Sequence, residues 1–274
     1  MQQVSSHVWV ETGYRGCNVG AIVHGENVAL VDCPQYPSDA TRWRESVMAW
    51  GIPRYLIHTE HHVDHIISDF IFPEATVVGH RWVREDMPTI AADYILQRVK
   101  EQDLVGLPFM RNWRMRLPTV TYDSQLDIYL DGLHLQVISL PGHCRGESAI
   151  YIPQERVVFV GDNVFNKVQT FLHQALPFDW LKSLEKIAAL DADVIIPGHG
   201  EICDKSYLPE QVAFINEWIE TVKGAIAQGW SREEAKKRIS FKDRYPMGIG
   251  SEARANDVQH WNVERLYTLL GGPP

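Results

Sequence analysis

One eight-residue stretch constrains this chain more than any other: His58-Thr59-Glu60-His61-His62-Val63-Asp64-His65. It follows directly on residues 55–57 (YLI), a short apolar run that reads as a buried strand. The fold must therefore present four histidines and two acids at a strand end. In extended chain, residues two apart point to the same side. Glu60 and His62 can thus reach one ion. Asp64 and His65, at the start of the next helix, reach a second ion beside it. Nitrogen and carboxylate donors at this density suit zinc or another first-row metal. The competing expectation is a solvated polar loop.

The pattern around that stretch is mixed. Residues 19–23 (VGAIV) and 28–32 (VALVD) read as strands joined by a turn at 25–27. Ser38 is placed as the N-cap of a helix to Trp50, closed by Gly51-Ile52-Pro53. A short strand is expected at 75–78. Strands resume at 126–130 and 133–138 about an Asp131-Gly132 hairpin turn, then at 149–152 and 157–160. A helix at 179–190 leads to a strand at 194–196. Helices follow at 209–228, 231–238 and 257–270. Two groups of strands with interspersed helices predict an α+β domain, with two sheets face to face and helices outside. Residues 88–118, with Phe109, Met110, Trp113 and Met115 around a helix at 91–104, read either as a lid or insertion or as an ordinary core helix.

Three later segments each place one candidate ligand after a strand: His143 in Pro141-Gly142-His143, Asp162 in Gly161-Asp162, and His199 in Pro197-Gly198-His199-Gly200. A glycine beside the ligand lets the backbone turn sharply and approach an ion. One such segment is weak; three after the dense cluster form a pattern.

These residues resemble the metallo-β-lactamase superfamily over roughly residues 4–203. The family's H-x-H-x-D-H motif is similar to Glu60-His61-His62-Val63-Asp64-His65. The resemblance implies an αββα sandwich, here as a single domain over 1–274 with C-terminal helices over about 208–274. It implies two divalent ions, zinc first, with iron or manganese as alternatives. Glu60, His62 and His143 would hold one ion, and Asp64, His65 and His199 the other, with Asp162 bridging. Asp32 resembles a buried acid that supports the metal loop; a plain turn residue is the alternative. Glu60 stands where the family usually has a histidine. Either it is a true carboxylate ligand, or the first ion is weakly held, or His58 or His61 substitutes. Its charge favours harder ions such as manganese or iron.

The implied function is a metal-dependent hydrolase. A hydroxide held by the metals would cleave an ester, lactone, thioester or amide (β-lactam-like) bond, with Asp64 as the catalytic acid–base. Val164, Phe165, Phe171, Leu172 and the 109–113 segment are expected to form an apolar pocket for a small substrate. The alternatives are an iron-dependent oxidoreductase or dioxygenase on the same fold, and a binding protein with a degenerate site. His80 is a candidate pocket residue. His7, His24, His134 and His173 are expected at the surface or in packing, and Cys144 as a small buried hydrophobe. The C-terminal helices read as a cap or a homodimer element.

With 26 Lys+Arg against 35 Asp+Glu, the net charge of −9 speaks against a nucleic-acid partner. No run of about 18 apolar residues is present for a membrane span. Four scattered cysteines and no N-terminal signal pattern lead to the expectation of a cytoplasmic chain.

Overall fold

Several strands of this chain are buried along nearly their whole length, on both faces, which requires a layer against each face. The structure is a computed structural model and describes residues 1–250 and 252–273. Ser251 and Pro274, which fall within the expected domain and its C-terminal extension, lie outside the described residues.

The first sheet contains, in order, β1 (Gln2–Gln3), β2 (Val8–Glu11), β3 (Val19–His24), β4 (Asn27–Val31), β5 (Ile52–Ile57), β6 (Thr76–His80) and β7 (Val120–Tyr122). Pairing is antiparallel from β1 to β4 and parallel from β4 to β7. Parallel neighbours need crossover connections. These are α1 (Pro37–Trp50) after β4, α2 (Val63–Ile66) after β5, and α3 (Arg81–Asp86) with α4 (Ala92–Gln102) after β6. The second sheet runs antiparallel through β8 (Gln125–Leu130), β9 (Leu133–Ser139), β10 (Ser148–Ile152) and β11 (Val157–Phe159). After β12 (Phe165–Asn166) and α5 (Pro177–Ala189), strand β13 (Val194–Ile196) joins it parallel to β11. β14 (His199–Gly200) pairs with β12 as a small parallel ladder. The chain ends in α6 (Leu208–Ala227), α7 (Arg232–Arg238) and α8 (Ala255–Leu269).

Three apolar layers explain the stacking. Between the sheets, Val8, Ile22, Val31 and Ile57 meet Leu135, Val137, Ile150 and Phe159. Behind the first sheet, Val19, Ala21 and Leu30 pack on Trp43 and Val47 of α1. Behind the second, Ala149, Val158 and Ile195 pack on Trp180, Trp218 and Leu266 from α5, α6 and α8. Strand residues alternate between these layers as a period of two demands. The result is the expected αββα sandwich with C-terminal helices.

Local details differ from the sequence expectations. α1 starts at Pro37, whose fixed φ suits a first helical position, and Ser38 does not cap it. The Ser38 hydroxyl instead donates to Asp103 Oδ1 at 2.6 Å. β5 starts at Ile52 and runs through Pro53, because a register shift at Val28/Ala29 accommodates the missing N–H. The short strands β1, β2, β7, β12 and β14 carry too few residues to show a period. Residues 88–118 bury Ile95, Val99 and Met110 against Tyr36 and Ile67, while the other face of α4 looks outward.

The sheets approach closely at Gly20. A Cβ there would lie 2.1 Å from Phe159 Cε1. Gly20→Val is therefore expected to destabilise the fold by about 1–3 kcal/mol through overpacking, measured by denaturant unfolding. A variant as stable as the parent would show that the sheets can separate locally.

Candidate metal centre

The parallel strands of the first sheet end at one edge of the sandwich, and the functional side chains gather there. Glu60 and His62 come from the loop after β5. Asp64 and His65 come from the first turn of α2. His143 follows β9, Asp162 follows β11, and His199 opens β14 after β13. All seven predicted residues therefore meet at one place.

Asp32, at the end of β4, organises this edge. Its φ is +54°, a conformation that Asp tolerates better than most residues. Oδ1 accepts the Thr59 backbone N–H at 2.8 Å. Oδ2 accepts the Thr59 hydroxyl at 2.6 Å and His65 Nδ1–H at 2.9 Å. His65 is thereby fixed with Nε2 turned to the centre. His143 is fixed in the same way: Nδ1–H donates to the Phe171 carbonyl at 2.8 Å. Such donors set both tautomer and ring direction.

Among the described residues the seven expected donors form three overlapping sets, each within 4.8 Å: Glu60–His62–His143, Asp64–His65–His199 and Glu60–His65–Asp162; Glu60–His61–Cys144 and Cys17–Asp32–His65 form two more, so His61 stays within reach of Glu60. Glu60 Oε2 faces His62 Nδ1, while Oε1 lies 3.4 Å from His65 Nε2 and 3.7 Å from His143 Nε2. Asp162 Oδ1 lies 3.3 Å from His65 Nε2 and 3.2 Å from His199 Nε2, and Oδ2 lies 3.6 Å from His143 Nε2. Asp64 Oδ2 is 3.2 Å from His199 Nε2.

These atoms fit a cation. Both Glu60 oxygens, His65 Nε2, Asp162 Oδ1 and His199 Nε2 are buried without a hydrogen-bond partner among the described residues. Buried polar groups are otherwise almost always satisfied. Burial pushes the Glu60 carboxyl up from its usual range. Burial also opposes charge on Asp162, but the facing His199 and His65 outweigh it and hold this carboxyl well below its usual range. His199 moves up to about 9, with Asp162 outweighing the effect of burial. Glycine makes the close approach between the two loops possible: a Cβ on Gly198 would lie 1.9 Å from Asp162 Oδ1.

The centre forms the floor of a cavity of about 730 Å³. His62, Asp64, His143 and Asp162 line it below. Tyr36, Tyr94 and Arg98 wall one side, and Met247, Trp261 and Arg265 from the C-terminal part wall another.

Several expected roles are corrected. His58 contacts Asp69 at 3.6 Å and belongs to none of the donor sets around the centre. His80 caps α3, accepting the Trp82 N–H at 3.1 Å, and does not line the cavity. Phe165 is fully buried and stacks on His199 with centroids 5.6 Å apart, backing the donors instead of facing a substrate. Trp113 donates to the Ile67 carbonyl at 2.9 Å, and Phe109 opens onto a separate surface cleft. Val164 and Leu172 are core residues. Of that group only Phe171 lines the cavity.

His61, a possible substitute ligand from the sequence, and His173, expected at the surface or in packing, both line the cavity. Burial first, then the neighbouring His62, lowers both to about 3, so they are neutral walls at ordinary pH. Sequence reasoning missed Glu147, buried beneath the centre, whose Oε1 accepts the Asp162 backbone N–H at 3.2 Å. Cys144 is buried, as expected, but beside Glu60 and His61.

Asp32→Asn should weaken divalent-ion affinity by about 10–100-fold, measured by competition with a chromophoric chelator; unchanged affinity would show that His65 orients itself. Ion binding should also release protons. His199, raised to about 9, and His65, held against burial well above its usual range by the surrounding acids, must both give up a proton, so affinity should rise with pH through neutrality. Calorimetry in buffers of different ionisation enthalpy checks this, and no proton release at pH 7 would contradict the ion-paired arrangement.

A family model described as the metallo-beta-lactamase superfamily matches residues 12–199. The match ends at His199, so α6, α7 and α8 lie outside it. A hydroxyacylglutathione hydrolase of Brucella anthropi is 22% identical over 263 residues, covering 94% of this chain and 86% of the relative. A beta-lactamase-like protein 2 homolog of Caenorhabditis elegans is 33% identical over 98 residues, covering 36% and 31%. Among solved structures, the DIM-1 metallo-beta-lactamase superposes with a TM-score of 0.61 at 16% identity, covering 79% of this chain and 95% of that one. The stereoselective inverting sec-alkylsulfatase Pisa1 of Pseudomonas sp. superposes with a TM-score of 0.67 at 16% identity, covering 98% and 50%.

Proposed function

The chain belongs to the metallo-beta-lactamase superfamily, and we propose that it is a metal-dependent hydrolase cleaving an ester, thioester, lactone or amide bond of a small, partly apolar substrate. The observation that carries this is the set of unsatisfied donors at the floor of the cavity. Glu60, His62 and His143 would hold one divalent ion. Asp64, His65 and His199 would hold the second, with Asp162 between them. When bound, such ions lower the pKa of water toward 7 and polarise the scissile carbonyl.

The chain's own residues supply the rest. Asp64 is 15% exposed, and its Oδ2 faces His199 Nε2 at 3.2 Å. Its other oxygen would orient the attacking water, take its proton and return it to the leaving group. His143 and His65 cannot turn away, because their Nδ1–H groups are engaged. Phe171 and Trp261 would receive the apolar part of the substrate and exclude water. The same proposal takes a small molecule as the partner. Four free cysteines suit a reducing compartment, and a cytoplasmic location is part of the proposal. No helix among the described residues is long and apolar enough to cross a membrane.

Zinc suits the histidine donors, while Glu60 adds a carboxylate that favours manganese or iron. That carboxylate, buried among His62, His65 and His143, also favours a second reading, an iron-bearing centre doing oxygen chemistry. Metal analysis of protein purified without added metal, with an ester, thioester, lactone and β-lactam panel under air and under nitrogen, separates the two. Hydrolysis indifferent to oxygen is expected; iron with oxygen-dependent turnover would overturn it. Glu60→Ala should lose about one ion per chain and most activity, and Glu60→His should keep activity while tightening zinc. Intact metal content in Glu60→Ala would remove Glu60 from the donor set.

A further inference from the structure

Three arginines reach the cavity: Arg98, Arg254 and Arg265. Two are occupied by the fold. Arg254 pairs with Asp257 at 3.8 Å and lies over the Trp261 ring at 5.0 Å. Arg265 donates to the carbonyls of Ala175 at 3.0 Å and Gln174 at 3.5 Å, pinning the loop before α5.

Arg98 is different. It stands half-buried on α4, and among the described residues no carboxylate lies within ion-pair distance. Its Nη1 donates to the Tyr94 hydroxyl at 3.3 Å, its guanidinium lies over the Tyr94 ring at 5.7 Å and beside the Tyr36 hydroxyl, and its Nε is buried with no hydrogen-bond partner among the described residues. The cavity acids nearest in sequence or on the facing helix are engaged elsewhere: Glu101 accepts from Gln97 at 2.5 Å, and Glu264 lies 4.0 Å from Lys236. Other arginines in this region are paired with acids, Arg15 with Asp39 and Asp103, and Arg42 with Asp39. Tyr36 adjoins Arg98 and lines the same cavity as Asp64.

A half-buried guanidinium without an acid is a costly arrangement unless something completes it. Its planar fork matches a carboxylate. The hydroxyl of Tyr94 accepts from Arg98 and keeps its own hydrogen to donate. The wall also carries apolar and aromatic side chains, Ile90, Phe171 and Trp261 among them, beside polar ones such as Gln102 and Thr268. We propose that Arg98, with Tyr36 and Tyr94, forms a subsite for a carboxylate carried on the substrate away from its scissile bond. The substrate class is then an amphiphilic anion: an ester or thioester on an apolar or aromatic chain that ends in an acid. This rests on the hydrolase reading for the bond cleaved, but not for the subsite itself.

The test uses two thioesters that differ only in charge at the remote end: the S-phenyl monothioester of adipic acid, and its methyl ester. A thiol reagent follows release of thiophenol. For the metal-loaded wild type, kcat/KM for the acid should exceed that for the methyl ester by roughly 10–100-fold, the worth of one charge-assisted interaction. R98Q should bring the ratio to within about threefold, and R98K should keep part of it. A wild-type ratio near one, or a ratio unchanged in R98Q, overturns the subsite. A second arm measures binding of 4-phenylbutanoate and 4-phenylbutanamide by calorimetry. Preference for the carboxylate in wild type, lost in R98Q, is expected. Equal preference in both proteins would place the carboxylate on the metal ions and overturn the subsite. If neither thioester is cleaved, the hydrolase reading falls and the calorimetric arm alone decides the subsite.

Discussion

The carboxylate of Asp32 is the contact on which the arrangement of the centre depends. It sits where β4 ends and accepts three donors from the loop that carries most of the cluster. A buried carboxylate without such donors would be expensive. With them, it becomes a fixed negative point behind His65. β4, β5 and β6 run parallel and end at the same edge, so the loop leaving β5 is delivered to Asp32 by the sheet itself. The second sheet brings His143, Asp162 and His199 to the same edge from its own strand ends. The sandwich brings two independently built loop sets into register.

Much of the centre was legible because its donors are local in sequence or sit at repeated strand-end positions. Glu60, His62, Asp64 and His65 fall within six residues; period-two chain direction pairs Glu60 with His62, and the helix start that follows sets Asp64 and His65 apart. His143, Asp162 and His199 each follow a β-rich run; each is a weak signal alone, and their recurrence made the pattern readable. The positions of the larger strands followed from the same runs. β1, β12 and β7 were not legible, because each is short and lacks the continuous apolar run that marked the equally short β11 and β13.

The cavity wall was read poorly, and for a physical reason. Periodicity in α4 reports the face that packs on Tyr36 and Ile67, through Ile95 and Val99. It says nothing of what the opposite face looks onto. His173 and Trp261 are near neighbours in space, with centroids 6.3 Å apart, but far apart in the chain. Phe165 misled for the converse reason. An aromatic residue just after a ligand loop can face the substrate or back the ligand, and here it stacks on His199. Sequence hydrophobicity is the same in both cases.

The placement of α4 and α8 has a consequence for how such a protein can diversify. The seven donors are held by sheet ends and by Asp32, whereas a large part of the cavity wall comes from an excursion between β6 and β7 and from the last helix of the chain. Substitutions on the outward face of α4, or on the cavity side of α8, change what can enter without disturbing the strands that aim the donors. Ligand choice and reaction chemistry are therefore inherited on separate pieces of the polypeptide. A lineage built on this frame can keep its chemistry while turning over its clientele.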